Sequence, residues 1–257
     1  MERDRRATIT ASYYFGITMQ NILALDTAGD SCSAATLIND KVRCCVEHTP
    51  RQHSQRLFVM LRELLPDGDL RAQGIDAVAY SSGPGSFTGL RIGASVAQGL
   101  AYAHDLPAVA VSTLALQAQT ALNMGLVDGA SPVLSLIDAR LKEVYGAVVN
   151  FPDGLAQEVG EPFVCSVEEL AKRCAQMPAG TLLLGTGLAD IAGLKEVADE
   201  RGWQICDDVR PEAQAMLDLA KNRLQYGDIL SATQILPRYV RNEVSWKKLP
   251  QQGKQVS

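Results

Sequence analysis

The sequence predicts a duplicated α/β fold, in which two similar subdomains face a cleft, and three observations lead to this class. The chain has 257 residues, enough for two modest domains, and 47% of them are hydrophobic. An aspartate ends the first buried strand of each half, at Asp26 and at Asp138. In each half a later strand runs into a glycine turn and then a helix. The alternative reading is that any α/β protein yields this order by chance.

The first half contains five predicted strands and three predicted helices. Short apolar runs bounded by turn residues predict strands at residues 22–25, 33–38, 41–47, 75–81 and 107–111. Apolar residues at helical spacing predict helices at residues 53–65, 90–103 and 113–123. Asn39 and Asp40 favour a hairpin turn between the second and third strands, and Pro50 and Pro66 mark the limits of the first helix.

The second half repeats the order. Strands are predicted at residues 132–137, 144–150, 162–165 and 181–184, and helices at residues 167–176 and 188–200. We therefore divide the chain into subdomains at residues 19–125 and 126–236, an N-terminal appendage at residues 1–18 and a basic tail at residues 237–257. The appendage is expected to be disordered and to lie outside the fold, as a product of an upstream start codon.

The net charge, the cysteines and the histidines argue against several classes of protein and of binding site. The net charge of −5 is not that of a stand-alone nucleic-acid binder. No run reaches the roughly 18 apolar residues that a membrane helix needs. The cysteines form no Cys-x-x-Cys pair, and we expect six buried or half-buried thiols and a cytoplasmic protein. With three histidines in the whole chain, we predict no metal site.

The glycine turn GPGSFTG, at residues 83–89, is the sharpest local motif. It is too long for the dinucleotide fingerprint and it lacks the Gly-Lys-Ser/Thr of a phosphate-binding P-loop. Ser86 or Thr88 could cap the following helix, and free backbone N–H groups there could hold an anion. The alternative is a turn that only lets the helix pack closely.

Asp26 and Asp138 are positioned either to hold a hydrated cation beside phosphates or to cap turns.

Six blocks of sequence resemble the bacterial TsaB family, formerly called YeaZ. They are ILALDT at 22–27, HSQR at 53–56, GPGSFTGLRIG at 83–93, VSTL at 111–114, IDARLKEVY at 137–145 and RYVRNEVSWKK at 238–248. The resemblance covers about residues 19–250. It implies the actin-like, sugar-kinase and chaperone-ATPase (ASKHA) fold.

The resemblance also implies a role as a non-catalytic dimerisation subunit that partners the enzyme TsaD. TsaD transfers threonylcarbamoyl to the adenosine 3′ of the anticodon in tRNAs that read codons starting with A. The small ATPase TsaE completes the assembly, and tRNA is bound through the complex.

The chain departs from TsaD-like enzymes at their metal pair, His-x-x-x-His on the first helix. Here His53 is followed by Leu57 at the second position, so no catalytic residue is expected. The bulky Phe87 in the glycine turn argues against strong ATP binding, and we expect no cofactor beyond weak or shared ATP or ADP in the complex. The possible vestigial nucleotide site consists of Asp26, Thr27, Gly85, Ser86, Thr88, Asp138, Gly185 and Gly187.

The resemblance implies that TsaD docks on the first-subdomain helices, at residues 53–65 and 90–103. The residues expected on this surface are His53, Leu57, Met60, Leu61, Leu64, Arg91, Ile92, Ser95 and Gln98. The same surface implies a homodimer when TsaD is absent. A charge at Met60 or Ile92 is expected to abolish co-purification with TsaD and to leave the circular-dichroism spectrum intact. The alternative for the first helix is an internal core helix.

Two other function classes compete with this reading. An ATP-dependent phosphotransferase or ATPase of the same fold predicts magnesium-dependent ATP binding that is lost in Asp26→Ala. A peptidase has little support, because the chain has neither a zinc pair nor a G-x-S-x-G motif.

The tail at residues 237–257 carries a net charge of +4, against −9 in the rest of the chain. It could steer tRNA to the complex or lie over its own acidic domain.

Overall fold

The first sheet contains five strands in the computed structural model, which describes residues 20–48 and 53–241. The strands are β1 (Ile22–Asp26), β2 (Cys32–Ile38), β3 (Lys41–Glu47), β4 (Ala77–Gly83) and β5 (Ala108–Ser112). Their order is β3-β2-β1-β4-β5; β1, β2 and β3 are antiparallel neighbours, and β4 runs parallel to β1 and β5. β1 and β4 are buried along their whole length, because helices cover both faces, which explains their continuous apolar runs.

The second sheet repeats this plan with six strands. They are β6 (Val133–Arg140), β7 (Glu143–Asn150), β8 (Gln157–Glu158), β9 (Phe163–Ser166), β10 (Leu182–Leu184) and β11 (Gln204–Cys206). Their order is β11-β10-β6-β7-β8, and β9 also pairs with β7. β6 and β7 are antiparallel, whereas β6, β10 and β11 are parallel, as β1, β4 and β5 are in the first sheet. The predicted duplication is therefore confirmed.

Six α-helices and the two sheets form five layers. The helices are α1 (His53–Leu64), α2 (Phe87–Ala103), α3 (Thr113–Asn123), α4 (Val167–Arg173), α5 (Leu194–Arg201) and α6 (Ala213–Gln225). α1 and α2 cover the outer face of the first sheet, and α4 and α5 cover the outer face of the second. α3 and α6 pack together between the sheets, in the largest cluster of buried apolar side chains.

Two helices differ from their predicted limits for identifiable reasons. α2 begins at Phe87, not at residue 90, because the Ser86 hydroxyl caps it by accepting a hydrogen bond from the N–H of Gly89 at 3.3 Å. The single helix predicted at residues 188–200 is wrong. A 3-10 turn at Leu188–Asp190 comes first, and α5 starts only after Gly193, whose φ of 84° interrupts the helix.

The sequence patterns did not predict α6, β8 or β11. α6 is the counterpart of α3 in the repeated plan: each follows the last parallel strand of its sheet. It lies in the stretch assigned to the second subdomain, yet it packs against β1, β2 and β5 of the first sheet. The chain thus returns to the first sheet after β11, and the boundaries of the two subdomains stay a prediction.

The segment after α6 connects the two sheets. Leu230 and Ala108 of β5 exchange backbone hydrogen bonds of 2.8 Å, and Ile235 is buried in the core beneath α1 and α2. The N–H of Arg238 then donates to the carbonyl of Ser82 at 2.7 Å, and its guanidinium pairs with Glu161 of the second half. Arg241 pairs with Glu143 of β7. The first tail residues thus lie over acidic groups of the same chain.

The structure tests the prediction made for the cysteines, but not the one made for the N-terminal appendage. Cys32, Cys165 and Cys174 are buried, and Cys45 and Cys206 are half-buried, as expected. Cys44 is exposed, because it lies on β3 at the edge of the first sheet, so that prediction is wrong at this position. The appendage at residues 1–18 and residues 242–257 of the tail lie outside the described residues.

Candidate functional site

Asp26 lies at the end of β1 and is completely buried. One carboxylate oxygen, Oδ1, accepts a hydrogen bond from the N–H of Ala28 at 3.2 Å, and Oδ2 has no partner among the described residues. Burial raises the pKa of Asp26 to about 6, and the neighbouring Ser81 hydroxyl and the Ala28 N–H oppose that rise. The negative charges of Asp30 and Glu212 raise this pKa further. The site thus holds a carboxylate that is costly to ionise.

The glycine turn packs directly on the residues that follow Asp26. The N–H of Ser86 donates to the carbonyl of Ala28 at 2.7 Å, and the Thr27 hydroxyl donates to the carbonyl of Gly89 at 2.8 Å. A Cβ at Gly85 would overlap the carbonyl of Ala28, and a Cβ at Gly89 would overlap that of Thr27. These glycines therefore leave room for the backbone carbonyls of Thr27 and Ala28, which pack against them. This geometry favours the close-packing reading of the motif over an anion site.

The second glycine turn is closed by a carboxylate of the chain. A Cβ at Gly185 would lie 2.6 Å from the carbonyl oxygen of Leu136, so this glycine also serves close packing. Beyond Gly187, the N–H groups of Leu188 and Ala189 both donate to the Asp207 carboxylate at 3.1 Å. Burial tends to raise the pKa of Asp207, but these hydrogen bonds outweigh it and the pKa is lowered. The N–H groups that a phosphate would use are therefore occupied.

Two other predicted nucleotide residues have local roles. Asp138 accepts hydrogen bonds from the N–H of Arg140 at 2.7 Å and from its guanidinium at 2.9 Å, so it closes the β6–β7 turn. Thr88 is exposed on α2 and does not cap that helix. Asp207 was absent from the sequence-based site. An aspartate one residue beyond a short strand gives no signal that links it to a turn 19 residues earlier.

The first helix turns most of its predicted partner residues inward. His53, Leu57, Met60, Leu61 and Leu64 are all buried in the core of the chain, where a partner cannot contact them. Leu57, which stands where TsaD-like enzymes are expected to carry their second histidine, is completely buried. Burial lowers the pKa of His53. This burial agrees with the alternative, that this helical face belongs to the core, and a charge at Met60 would disrupt that core before it tested an interface.

The apolar residues that α1 does expose are Phe58 and Val59, which are 55% and 46% exposed. On α2, Arg91, Ser95 and Gln98 are exposed and Ile92 is half-buried. Between the helices lies an open groove of about 430 Å³. It is lined by Ser54, Phe87, Thr88, Arg91, Ile92, Ser95 and Val96. We call Phe58, Val59 and this groove the helical surface.

The C-terminal segment borders the helical surface. The Arg91 guanidinium lies 3.7 Å from the centre of the Phe87 ring, and its Nε donates to the Tyr239 hydroxyl at 3.0 Å. The Phe87 and Tyr239 rings are 5.7 Å apart. Gln98 donates to the carbonyl of Ala232 at 3.0 Å. Two of the predicted partner residues therefore also hold the end of the described chain against α2.

The described residues also bear on metal and membrane binding. Within residues 20–48 and 53–241, no cluster of three or more His, Cys, Asp or Glu side chains could hold a metal ion. None of the helices in these ranges is both long and apolar enough to span a bilayer.

Two sheets of the same strand order, with a pair of equivalent helices between them, define the actin-like (ASKHA) class of duplicated α/β proteins. A family model described as "TsaD: tRNA N6-adenosine threonylcarbamoyltransferase" matches residues 47–194. The protein "tRNA threonylcarbamoyladenosine biosynthesis protein TsaB" of Haemophilus influenzae is 37% identical over 90% of this chain and 99% of its own length. The protein of the same name from Escherichia coli is 37% identical over 89% of this chain and 98% of its own.

Solved structures agree with these relatives. The structure titled "YeaZ from Pseudomonas aeruginosa" is 36% identical and superposes with a TM-score of 0.73, covering 86% of this chain and all of that chain. This chain belongs to the TsaB family.

Proposed function

We propose that this chain acts in the biosynthesis of threonylcarbamoyladenosine in tRNA, as a non-catalytic partner and activator of TsaD. The modified base is the adenosine 3′ of the anticodon in tRNAs that read codons starting with A. The observation that carries the proposal is the 37% identity to proteins named for this biosynthesis, over nearly their whole length. The TsaD-type family model also matches more than half of the chain.

The contacts around Asp26 support the absence of catalysis by this subunit. The first glycine turn is filled by the carbonyls of Thr27 and Ala28, and the N–H groups of the second turn are taken by Asp207. A phosphate would have to displace backbone in one place and a carboxylate in the other. The position of a second metal-binding histidine is held by the buried Leu57. Any ATP or ADP is therefore bound weakly or shared with a partner.

The helical surface is the proposed docking site for TsaD. Phe87 lines an open groove, and Phe58 and Val59 expose large apolar side chains on the neighbouring helix α1, as a protein–protein interface requires. Exposed polar side chains that line the groove, such as Arg91 and Ser95, match the mixture of apolar and polar groups that such interfaces contain. The same surface would serve a homodimer when TsaD is absent.

The remaining parts of the assembly follow from this role. TsaE is the ATPase of the complex, and tRNA is bound by the complex as a whole. Arg238 and Arg241 are paired with acidic residues of the same chain, so any tRNA contact by the tail falls to the residues after 241. The proposed function places the protein in the cytoplasm.

Reconstitution tests the proposed function. Purified TsaD, TsaE, tRNA and threonylcarbamoyl-AMP are incubated with and without this chain, and the modified nucleoside is measured by mass spectrometry. We expect formation of threonylcarbamoyladenosine to depend on this chain. Equal formation in its absence would refute an activating role.

A further inference from the structure

The outer edge of β3 is a second surface that the proposed function does not use. β3 pairs only with β2 among the described strands, so it ends the first sheet. The side chains from Lys41 to Cys44 are exposed. A seven-residue edge strand offers a row of backbone groups on which another strand can pair.

The hairpin geometry fixes which backbone groups face outward. Asn39 and Asp40 have positive φ of 50° and 60°, as a two-residue type I′ turn requires. In such a hairpin the flanking residues Ile38 and Lys41 share the first hydrogen-bonded pair. The backbone groups of alternate residues from Lys41 onward therefore point to β2. Those of Val42, Cys44 and Val46 point away from the sheet.

We propose that β3 pairs antiparallel with β3 of a second copy of this chain, with Cys44 opposite Cys44. In this register Val42 faces Val46 of the second copy, so all three outward-facing residues find partners. Their N–H and C=O groups form six hydrogen bonds across the two-fold axis. A shift by two residues in either direction would leave two of the six groups on each strand unpaired.

The side chains are self-complementary in the same register. Lys41 faces Glu47 of the second copy on both sides of the axis, and Arg43 faces Cys45, so no like charges lie directly opposite. Glu47 already contacts Arg56 in its own chain, and the Lys41 ammonium approaches the same carboxylate. On the opposite face of the strand, the two facing Val42–Val46 pairs add apolar contact. Charge pattern and backbone pairing therefore select one partner, a copy of the same strand.

The two faces of the edge strand are turned towards different helices. Arg43 donates to the carbonyls of Glu63 and Leu64 at the end of α1, so the odd-numbered residues lie on the α1 side. Cys44 contacts Gln214 of α6 at 3.2 Å, so the even-numbered residues lie on the α6 side. The dimer would join two five-stranded sheets into one of ten strands, and it is distinct from pairing through the helical surface.

Disulfide cross-linking of the full chain tests the pairing and its register. Opposite residues of a hydrogen-bonded pair have Cα atoms about 5.5 Å apart, which is within disulfide range. Diamide, which takes up the two thiol hydrogens, should give a dimer linked through Cys44 in both copies, identified by peptide mass spectrometry. In a Cys44→Ser background, a mixture of Val42→Cys and Val46→Cys chains should cross-link as a heterodimer, whereas Val42→Cys alone should not.

Val46→Pro removes an outward N–H without breaking the pairing with β2, and Val46→Thr is the matched control. Two hydrogen bonds are lost from the dimer, so the yield of the Cys44 cross-link should fall about tenfold or more in Val46→Pro. Val46→Thr should retain it. Circular dichroism checks that both variants fold. Absence of the Cys44 cross-link, or cross-linking of Val42→Cys alone as readily as of the mixture, would overturn the proposal.

Discussion

At the scale of single residues, Asp26 is the most unusual group in the described chain. It is completely buried, one of its oxygens has no partner among the described residues, and burial raises its pKa to about 6. The folded chain therefore binds a proton more tightly than the unfolded chain, whose aspartate titrates near 3.8. Stability consequently falls as the pH rises from about 4 to 6, and the whole penalty is present above pH 6.

Asp26→Asn should remove that penalty. With about 1.4 kcal/mol per unit of pKa difference, the free energy of unfolding should rise by about 3 kcal/mol at pH 8. The gain should disappear below pH 4, where the carboxyl group of the original residue is protonated in both states. Urea denaturation at pH 8 and pH 4 measures both values, and an equal gain at the two pH values would rule out ionisation as the cause.

The glycines of α2 provide a matched pair of substitutions. A Cβ at Gly89 would overlap the Thr27 carbonyl, whereas a Cβ at Gly99 would meet open space. Gly89→Ala should lower the free energy of unfolding by about 1–3 kcal/mol through overpacking. Gly99→Ala should raise it by about 0.5–1 kcal/mol, because alanine is the better helix former. Thermal denaturation distinguishes them, and two similar shifts would contradict the close-packing role of Gly89.

At the scale of elements, α1 has a buried face, which packs in the core, and an exposed face, which is the proposed docking face. The spacing of Leu57, Met60, Leu61 and Leu64 predicted the helix correctly, because that spacing forms one apolar stripe. The same spacing cannot tell whether the stripe meets the chain's own sheet or a partner. Phe58 and Val59 are apolar residues that lie outside this stripe and are exposed. Their position outside the stripe is the feature of the sequence that points to a second apolar surface on α1.

Phe58→Asp and Met60→Asp should therefore differ. Phe58→Asp should leave the thermal unfolding temperature nearly unchanged and abolish co-purification with TsaD, because it places a charge on an exposed apolar residue of the helical surface. Met60→Asp should lower the free energy of unfolding by more than about 3 kcal/mol, because it buries a carboxylate in the core. Tyr226→Asp, which charges an exposed aromatic residue directly after α6, is the control and should retain co-purification. Retained binding by Phe58→Asp would exclude this interface.

At the scale of the whole molecule, the duplication accounts for most of what the sequence could predict. Strand-end aspartates and glycine turns revealed the repeat because close backbone approaches demand particular residues at fixed places. α6 was missed although the repeat required a counterpart to α3, since its buried residues include three alanines that give a weak apolar pattern. The closing of the second glycine turn by Asp207 depends on a contact between separate strands and turns, which local spacing does not encode.

We expect this chain to serve the modification of tRNA by docking through the helical surface and not by nucleotide chemistry at Asp26. The most direct measurement compares Phe58→Asp and Asp26→Asn in the reconstituted reaction with TsaD, TsaE, tRNA and threonylcarbamoyl-AMP. We expect Phe58→Asp to abolish formation of threonylcarbamoyladenosine and Asp26→Asn to support it at the level of the unaltered chain. Activity that survives in Phe58→Asp and is lost in Asp26→Asn would contradict the account.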